Sequence, residues 1–319
     1  MTTTRYGYLG PRGTFCEMAL QSWPPAADTV QVPYGSVGTA LAALRAGDLD
    51  AAMVPIENSV EGGVSATLDA LSAGEELVII GEVLVPVTFV LAARPGMPLG
   101  QVHAVGTHSH AWAQVRGWMD AHLPAATYVP TLSTAAAAAG LDAGVPDPPP
   151  YQAAVSAPVA AVNHGLDVLA DDIGDNVNAV TRFVLVSRPG HTPEPTGSDK
   201  TSVVLYQRED HPGGLLELLE QFAARGVNLT RLESRPTGDA MGSYCFSIDF
   251  EGHLADERVA DTLMGLKRVC AQVRYLGSYQ RADRRVTADP RVGTADEDFN
   301  RARKWLDDLR ALAPRRGDG

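Results

Sequence analysis

Short polar segments that each stand before a predicted helix are the first candidates for chemistry in this chain. One is YGYLGPRGTFCEMAL, which combines a strand, a turn and a helix whose start carries Thr14 and, three residues later, Glu17. The first N–H groups of a helix have no partner within it, so such a start can hold an anion. The alternative is simple capping of the helix by Thr14, and for an isolated segment capping is the commoner role.

The stretch AAMVPIENSVEGGVSATLDAL repeats this arrangement, with Asn58 and Ser59 in a polar turn between a strand and a helix. Their uncharged side chains can donate hydrogen bonds beside the helix start. A turn rich in Asn, Ser and Gly is also ordinary turn chemistry, so both interpretations stay open.

Two further helix starts carry polar side chains. Thr107 and His108 precede AWAQVRGWM, and Ser133 and Thr134 precede a run of alanines. His110 stands two residues after His108, and on a helix two such side chains diverge. We therefore do not expect a metal-binding histidine pair there.

Thr181 and Arg182 stand at the start of the apolar run VNAVTRFVLVS. In isolation, a threonine and an arginine at such a position are best interpreted as surface residues of an edge strand. The pair gains a functional meaning only in combination with the segments above.

Composition limits the classes of function. The 319 residues are 45% hydrophobic and 20% charged, which is typical of a globular chain with more than one domain. A net charge of -12 argues against nucleic acid or anionic membrane as a partner, so a site for an anion must be locally positive. The start MTTTRY has no secretory apolar region and no run is long enough to cross a membrane, so we expect a cytoplasmic protein. Cys16, Cys245 and Cys270 are predicted to be reduced core thiols.

Hydrophobic patterning divides the chain into a large and a small domain. In residues 1–188, short apolar runs alternate with helical segments, which predicts an α/β region with a largely parallel sheet. Residues 189–199 (PGHTPEPTGSD) are predicted to be a linker. Residues 200–281 follow the order β-α-β-β-α-β of a ferredoxin-like domain.

Residues 282–319 form a polar tail with one predicted helix. A capping box from Thr294 to Glu297 is expected to open that helix. Its apolar side chains follow helical spacing, so we expect this face to dock on the body of the protein or on a partner subunit: Phe299, Ala302, Leu306 and Leu309.

Taken together, these segments resemble prephenate dehydratase over nearly all of residues 1–281. The resemblance is carried by GPRGTF, by PIENSVEGGV, by the segment from Thr107 to Gln114, by Ser133-Thr134-Ala135 and by Thr181-Arg182-Phe183. Beyond the linker, DHPGGLLELL and NLTRLESRP resemble the phenylalanine-sensing ACT domain of that family. Each motif alone is weak, but their common order makes a chance match improbable.

The resemblance implies a fold and an assembly. The fold is an α/β catalytic region of two lobes, like a periplasmic binding protein, with the active site in the cleft, followed by an α+β ferredoxin-like ACT domain. The assembly is a homo-oligomer, a dimer or a tetramer, in which ACT domains pair. No metal or organic cofactor is expected. Because the dehydratase motif begins at the start of the sequence, we expect a monofunctional enzyme.

The resemblance also implies a reaction and a site. The enzyme would be a carbon-oxygen lyase of L-phenylalanine biosynthesis that converts prephenate to phenylpyruvate and is inhibited by phenylalanine. Thr181 would donate to the leaving hydroxyl, while Arg182 and the helix N-termini would balance the dianionic substrate. The implied substrate-binding residues are Thr14, Asn58, Ser59, Thr107, Gln114, Ser133, Thr134 and Phe183. The implied phenylalanine-binding residues are His211, Pro212, Gly213, Gly214, Leu215, Asn228, Leu229, Glu233 and Ser234.

Some positions depart from the family pattern, and two other functions stay open. Ala179 stands where many relatives have Asn, His110 stands where Gln is frequent, and Gly214 replaces Ala in the regulatory loop. One alternative is arogenate dehydratase, which performs the same chemistry on an aminated side chain. The other is a small-molecule sensor without turnover, against which the intact Thr181-Arg182-Phe183 argues.

Overall fold

The computed structural model describes residues 4–60, 62–190, 192–237, 244–286 and 290–312. It divides into two compact units. The first unit contains residues 1–70 and 82–188, and the second contains residues 71–81 and 189–319. The chain therefore leaves the first unit for a short stretch and returns to it before the C-terminal part begins.

The first unit has two lobes, each built on a sheet with helices against it. One sheet has the order β2-β1-β3-β11-β5, with β4 beside β3, and the other has the order β10-β6-β9-β7-β8. The strands are β1 (Arg5–Leu9), β2 (Val30–Tyr34), β3 (Ala51–Asn58), β4 (Gly62–Gly63), β5 (Val78–Pro86), β6 (Val90–Ala93), β7 (Ala104–Thr107), β8 (Thr127–Pro130), β9 (Ala153–Ser156), β10 (Asp167–Ala170) and β11 (Val180–Ser187). The helices are α1 (Phe15–Gln21), α2 (Val37–Ala46), α3 (Ser65–Ser72), α4 (Ser109–Gln114), α5 (Arg116–His122), α6 (Thr134–Gly140) and α7 (Pro158–Asn163).

The chain passes from the first lobe to the second between β5 and β6 and returns between β10 and β11. The two crossings are hydrogen-bonded to each other, since the Val87 amide donates to the Ala179 carbonyl at 2.7 Å. This two-lobed α/β architecture is the one that the family resemblance implies.

The expectation of a largely parallel sheet is only partly right. Strand β1 is parallel to β2 and β3, and β7 is parallel to β8 and β9. Strand β11, however, is antiparallel to β3, and β6 is antiparallel to β9 and β10. The antiparallel strands stand next to the crossings between lobes, where a strand joins a sheet without the helical crossover that a parallel pair requires.

Alternating side chains of the second lobe form a core on each face of its sheet. Val105 and Val155 point into one core with Met119 of α5, and Ala154 points into the other with Leu166. Alanines of α6 and α7 fill the second core, which lets these short helices lie close to the strands.

The second unit confirms the predicted order β-α-β-β-α-β. Its sheet has the order β13-β14-β12-β15 and its core includes Phe222 and Phe250, which pack edge to face at 5.1 Å. The elements are β12 (Asp199–Tyr206), α8 (Gly214–Ala223), β13 (Leu229–Pro236), β14 (Tyr244–Glu251), α9 (Glu257–Val269), β15 (Gln272–Gln280) and α10 (Asp296–Leu312).

Residues 71–81 belong to the second unit because β12 and β15 hold them there. The Arg274 guanidinium donates to the carbonyls of Leu71 and Ala73, each at 3.0 Å, and to that of Gly74 at 2.6 Å. The Tyr206 hydroxyl donates to the Ser72 carbonyl at 2.5 Å. These carbonyls belong to the C-terminal end of α3 and the loop after it, where a helix leaves acceptors without partners.

The tail helix α10 exists, but the predicted capping box does not open it. The Thr294 hydroxyl donates to the Arg291 carbonyl, and it is the Asp298 carboxylate that accepts from the Ala295 amide. The helix packs against α9 through its first turns, where Arg303 pairs with Glu257. Residues 313–319 of the predicted tail and His191 of the predicted linker lie outside the described residues. Within the described part of the chain, none of the helices is long and apolar enough to span a bilayer.

Candidate active site

Thr181 and Arg182 are neighbours in sequence, but the strand directs them to different surroundings. Strand β11 pairs with β3 so that Thr181 stands opposite Asn58 and Arg182 stands opposite Glu57. Successive side chains of a strand point to opposite faces. The pair Thr181 and Asn58 therefore shares one face of the sheet, and the pair Arg182 and Glu57 shares the other.

The Thr181 hydroxyl is oriented by Asn58. The side-chain oxygen Oδ1 of Asn58 accepts from the Val60 amide at 2.7 Å, so the side-chain nitrogen must point the other way. That nitrogen donates to Thr181 Oγ1 at 2.8 Å. Because the hydroxyl accepts this bond, its own hydrogen is directed away from Asn58 and can be given to a ligand.

Arg182 is buried and engaged by two carboxylates. Its Nε donates to Glu82 Oε2 at 2.6 Å and its Nη1 donates to Glu57 Oε2 at 3.3 Å. The Glu82 side chain is 2% exposed and that of Arg182 is 6% exposed. Glu57 lies on β3, Arg182 on β11 and Glu82 on β5. Their ion pairs connect the three strands on the face of the sheet opposite to the Thr181 side chain. A direct contact between Arg182 and a ligand in front of Thr181 stays a prediction.

A cavity of about 300 Å³ lies in front of Thr181 and Asn58, between the two lobes of the first unit. Its size is at the lower end of the range for small-molecule sites. Both lobes supply hydroxyl, amide and apolar groups to it, and the second lobe adds an imidazole. The lining residues are Phe15, Asn58, Val87, Phe89, His108, Ala111, Gln114, Leu132, Ser133, Thr134 and Thr181.

The apolar wall is the edge of the second lobe's core. Val87, Phe89 and Ala111 are buried members of that core, and Phe15 packs edge to face on Phe89 at 5.6 Å. An aromatic and aliphatic wall of this kind suits an unsaturated carbon ring and excludes water from it.

Two helix starts face the cavity. Ser133 caps α6 by accepting from the Ala136 amide at 2.9 Å, and His108 caps α4 by accepting from the His110 amide at Nδ1. The partial positive charge of these helix ends is directed at the cavity. Among the described residues, the ones that line the cavity include no lysine, arginine, aspartate or glutamate.

Of the residues implied for substrate binding, the cavity brings together Asn58, Gln114, Ser133 and Thr134 with Thr181. The others serve the scaffold around it. Thr14 caps α1, and the Ser59 hydroxyl accepts from the Val180 amide and so holds the start of β11. Thr107 is fully buried and donates to the Val155 carbonyl, and Phe183 is a core residue. A substrate contact by these four residues stays a prediction.

The lining residues that the sequence did not assign to the substrate site are mainly apolar. Phe15 and His108 lie inside motifs that carried the resemblance, so they were within reach of that argument. Val87, Phe89 and Leu132 carried no signal, because an apolar residue next to a strand looks the same whether it faces a core or a ligand.

The cysteines are confirmed as buried free thiols. Cys16 lies directly after Phe15 and donates to the Met53 carbonyl. Burial raises the pKa of the Cys16 thiol to about 12, so it stays protonated and unreactive at neutral pH.

The residues implied for phenylalanine binding form two separate groups within one chain. The loop from His211 to Gly214 lies between β12 and α8, and Gly213 adopts a left-handed conformation with φ of 92°. Leu229, Glu233 and Ser234 lie on β13, directly after Asn228. Strand β14 stands between β12 and β13, so the two groups are two strand spacings, or about 10 Å, apart across the sheet. Leu229 is in addition displaced along the sheet, because it stands level with Thr201 and not with Tyr206, the last residue of β12.

A cavity of about 340 Å³ lies beside the first of these groups. It is lined by His211 and Gly214 together with Gln207, Arg208, Glu209, Glu217, Leu218 and Val269. None of the residues implied on β13 lines it. Binding of one ligand by both groups stays a prediction.

Comparisons with known proteins agree with this architecture. A 46% identical relative over 304 residues is the prephenate dehydratase of Amycolatopsis methanolica, with 95% of this chain and 97% of the relative covered. A crystal structure of prephenate dehydratase in complex with L-Phe from Arthrobacter aurescens has a TM-score of 0.91 at 57% identity and covers 97% of this chain and all of that one. A solved structure described as a novel type of quorum quenching acylase has a TM-score of 0.77 at 29% identity, over 88% of this chain and all of that one.

Two family models match the chain. The model of prephenate dehydratase matches residues 6–191, which is more than half of the chain, and the model of the ACT domain matches residues 202–268. The chain belongs to the prephenate dehydratase family and carries an ACT domain after its two-lobed α/β region.

Proposed function

We propose that this protein is a carbon-oxygen lyase that converts prephenate to phenylpyruvate, water and carbon dioxide. The observation that carries the proposal is the Thr181 hydroxyl, which accepts from Asn58 and is free to donate into a cavity between the lobes. Membership of the prephenate dehydratase family supports the choice of substrate.

The chemistry requires little more than orientation and one strong hydrogen bond. In prephenate, a ring carbon carries a carboxylate and the opposite ring carbon carries a hydroxyl. The bond to the carboxylate carbon breaks, its electron pair completes the aromatic ring, and the C–O bond to the hydroxyl breaks. Carbon dioxide leaves at one end, and the oxygen leaves at the other end as hydroxide that takes up a proton to become water.

Thr181 stabilises the charge that develops on the departing oxygen. A hydroxyl is too weak an acid to give up its proton completely, so its contribution is a hydrogen bond that strengthens as the C–O bond breaks. Asn58 fixes the direction of that bond before the substrate arrives, which reduces the reorganisation needed during the reaction.

The remaining lining residues hold the substrate. Ring contacts are assigned to Phe15 and Phe89, and polar contacts to the carboxylates are assigned to Gln114, Ser133 and Thr134. The N-terminal ends of α4 and α6 supply partial positive charge, which suits a dianionic substrate in a protein with a net charge of -12. The amide and hydroxyl donors add neutral hydrogen bonds that carry no competing negative charge.

Phenylalanine is proposed as the inhibitor that binds the ACT domain. The relative from Arthrobacter aurescens was crystallised in complex with L-Phe. In this chain, we assign the inhibitor to the loop from His211 to Leu215 of one copy and to residues Asn228, Leu229, Glu233 and Ser234 of another. This arrangement requires a homo-oligomer, which we propose to be a dimer or a tetramer. The proposed location of the protein is the cytoplasm. The proposed domain boundaries are 1–188 for catalysis and 200–281 for regulation, with a linker at 189–199.

Turnover of prephenate and arogenate by the purified protein distinguishes the candidate functions. Phenylpyruvate is measured by its absorbance and phenylalanine by chromatography. A prephenate dehydratase has a higher kcat/KM for prephenate, and the reverse preference identifies an arogenate dehydratase. Binding of either compound without any turnover identifies a sensor and refutes the proposed enzyme.

A further inference from the structure

The ion pair behind Thr181 connects the catalytic position to strand β5. Glu82 of β5 accepts from Arg182 Nε at 2.6 Å, and both side chains are buried. Arg182 follows Thr181 directly, so a displacement of the Arg182 backbone is transmitted through one peptide unit to Thr181. Glu57 contacts the same guanidinium at 3.3 Å from β3, and its side chain is 37% exposed. The contact of Arg182 with Glu82 is thus shorter than its contact with Glu57, and the Glu82 carboxylate is more deeply buried.

Strand β5 belongs to both units. Glu82 and the residues after it lie in the first unit, whereas Val78, Ile79 and the other residues up to Gly81 lie in the second. Glu82 stands three positions after Ile79, with Ile80 and Gly81 between them. In an extended strand this spacing is about 10 Å of continuous backbone, with no loop to absorb a displacement.

The second unit holds its part of β5 tightly. Gly277 of β15 has a φ of 126°, and a Cβ atom at this position would overlap the Ile79 carbonyl. The backbones of β15 and β5 therefore approach closely, which only a glycine permits. Arg274 and Tyr206 bind the carbonyls just before β5, from Leu71 to Gly74. We call the sheet of β13, β14, β12 and β15 the ACT sheet. Because of these contacts, a shift in the ACT sheet would also shift residues 71–81.

We propose that Glu82 is a positioning residue for Thr181 and that strand β5 transmits the ligand state of the ACT sheet to it. This role rests on the proposed function, and β5 would be the route by which phenylalanine binding lowers the activity. In the active state, Glu82 holds Arg182 and Thr181 points into the cavity. When phenylalanine binds, residues 71–81 move with the ACT sheet, β5 displaces Glu82, and Thr181 leaves the orientation that Asn58 gives it. A buried ion pair suits this role because partial separation is costly, so the strand adopts one of two discrete positions.

The positioning role is tested with Glu82→Gln, which keeps the shape of the side chain and removes its charge. We expect kcat to fall by about tenfold or more, because Thr181 loses its support, and KM for prephenate to change by less than about threefold, because Glu82 does not line the cavity. Glu57→Gln is the matched control, since Glu57 contacts the same Arg182 from a strand outside the second unit. It should lower kcat to a smaller extent and leave inhibition by phenylalanine intact, whereas Glu82→Gln should weaken inhibition by about fivefold or more.

The transmission is tested with Tyr206→Phe, which removes the hydrogen bond to the Ser72 carbonyl. We expect normal kcat without inhibitor, normal phenylalanine binding by calorimetry and inhibition weakened by about fivefold or more. Tyr275→Phe is the matched control, because its hydroxyl bonds to Ser278 within the same sheet and contacts no carbonyl of residues 71–74. Its inhibition should equal that of the wild type.

The outcomes separate this inference from the proposed function. Glu82→Gln with wild-type kcat overturns the positioning role, and if that variant does not fold, Glu82→Asp tests the same bond by shortening the side chain. Unchanged inhibition in Tyr206→Phe and Glu82→Gln overturns the transmission while leaving the enzyme and its inhibitor established. A wild-type protein that does not respond to phenylalanine overturns both the proposed inhibitor and the transmission, yet the kcat of Glu82→Gln still decides the positioning role.

Discussion

Replacing Thr181 with valine removes one hydroxyl and keeps the shape of the side chain. In the structure this hydroxyl accepts from Asn58 at 2.8 Å and has its hydrogen available for the cavity. The loss of a hydrogen bond to a developing charge raises the barrier by about 1.5–3 kcal/mol. Since about 1.4 kcal/mol corresponds to a factor of ten, kcat should fall roughly 10-fold to 150-fold. KM should change little, because the bond is formed mainly in the transition state.

The assay is steady-state formation of phenylpyruvate from prephenate, with two controls. Thr181→Ser keeps the hydroxyl and should retain most of the activity. Thr67→Val removes another buried hydroxyl of the same unit, one that donates to the Pro55 carbonyl and does not line the cavity. It should lower the melting temperature without the loss of kcat. A Thr181→Val enzyme with near-normal kcat, or a Thr67→Val enzyme that is equally slow, would refute the reasoning.

Two further predictions concern stability. Burial raises the pKa of the Cys16 thiol to about 12 from an ordinary value near 9, so below pH 9 this thiol does not affect the pH dependence of stability. Between pH 9 and 12 the thiol ionises in the unfolded chain only, which lowers the free energy of unfolding by about 1.4 kcal/mol per pH unit. The melting temperature of Cys16→Ala should therefore fall less with alkaline pH than that of the wild type, and parallel curves would contradict this. Asp249 is fully buried and pairs with Arg231 at 2.9 Å. Asp249→Asn removes the charge of this buried pair and should lower the free energy of unfolding of the ACT domain by about 3–5 kcal/mol; a urea denaturation curve that shifts by less than about 1 kcal/mol would count against it.

Local patterns predicted the elements well. The order β-α-β-β-α-β of the second unit follows from strand and helix periodicity. Thr14 caps α1, which is one of the two roles considered for it, because a cap depends on residues three or four apart. The capping box predicted at Thr294 does not form, and the cause is again a local contact. A nearby acceptor, Asp298, bonds to the Ala295 amide, and the helix begins at Asp296.

Strand register could not be read from the sequence, and it decides the site. Thr181 and Arg182 were treated as one catalytic pair, yet their alternation along β11 gives them different partners, 123 and 125 residues away in the chain. Glu82 carried no sequence signal at all, since its partner lies 100 residues away. The apolar wall of the cavity was hidden for a related reason, because Val87 and Phe89 also belong to a core.

The central claim is that Thr181 and Asn58 act as one catalytic unit, and a double-mutant cycle tests it most directly. Thr181→Val, Asn58→Leu and the double variant are compared by kcat for prephenate, with folding checked by circular dichroism. If Asn58 acts by orienting the Thr181 hydroxyl, the double variant should be no slower than Thr181→Val alone, so that the two losses do not add. Losses that multiply to the product of the single effects would show that the two side chains act independently and would contradict the account.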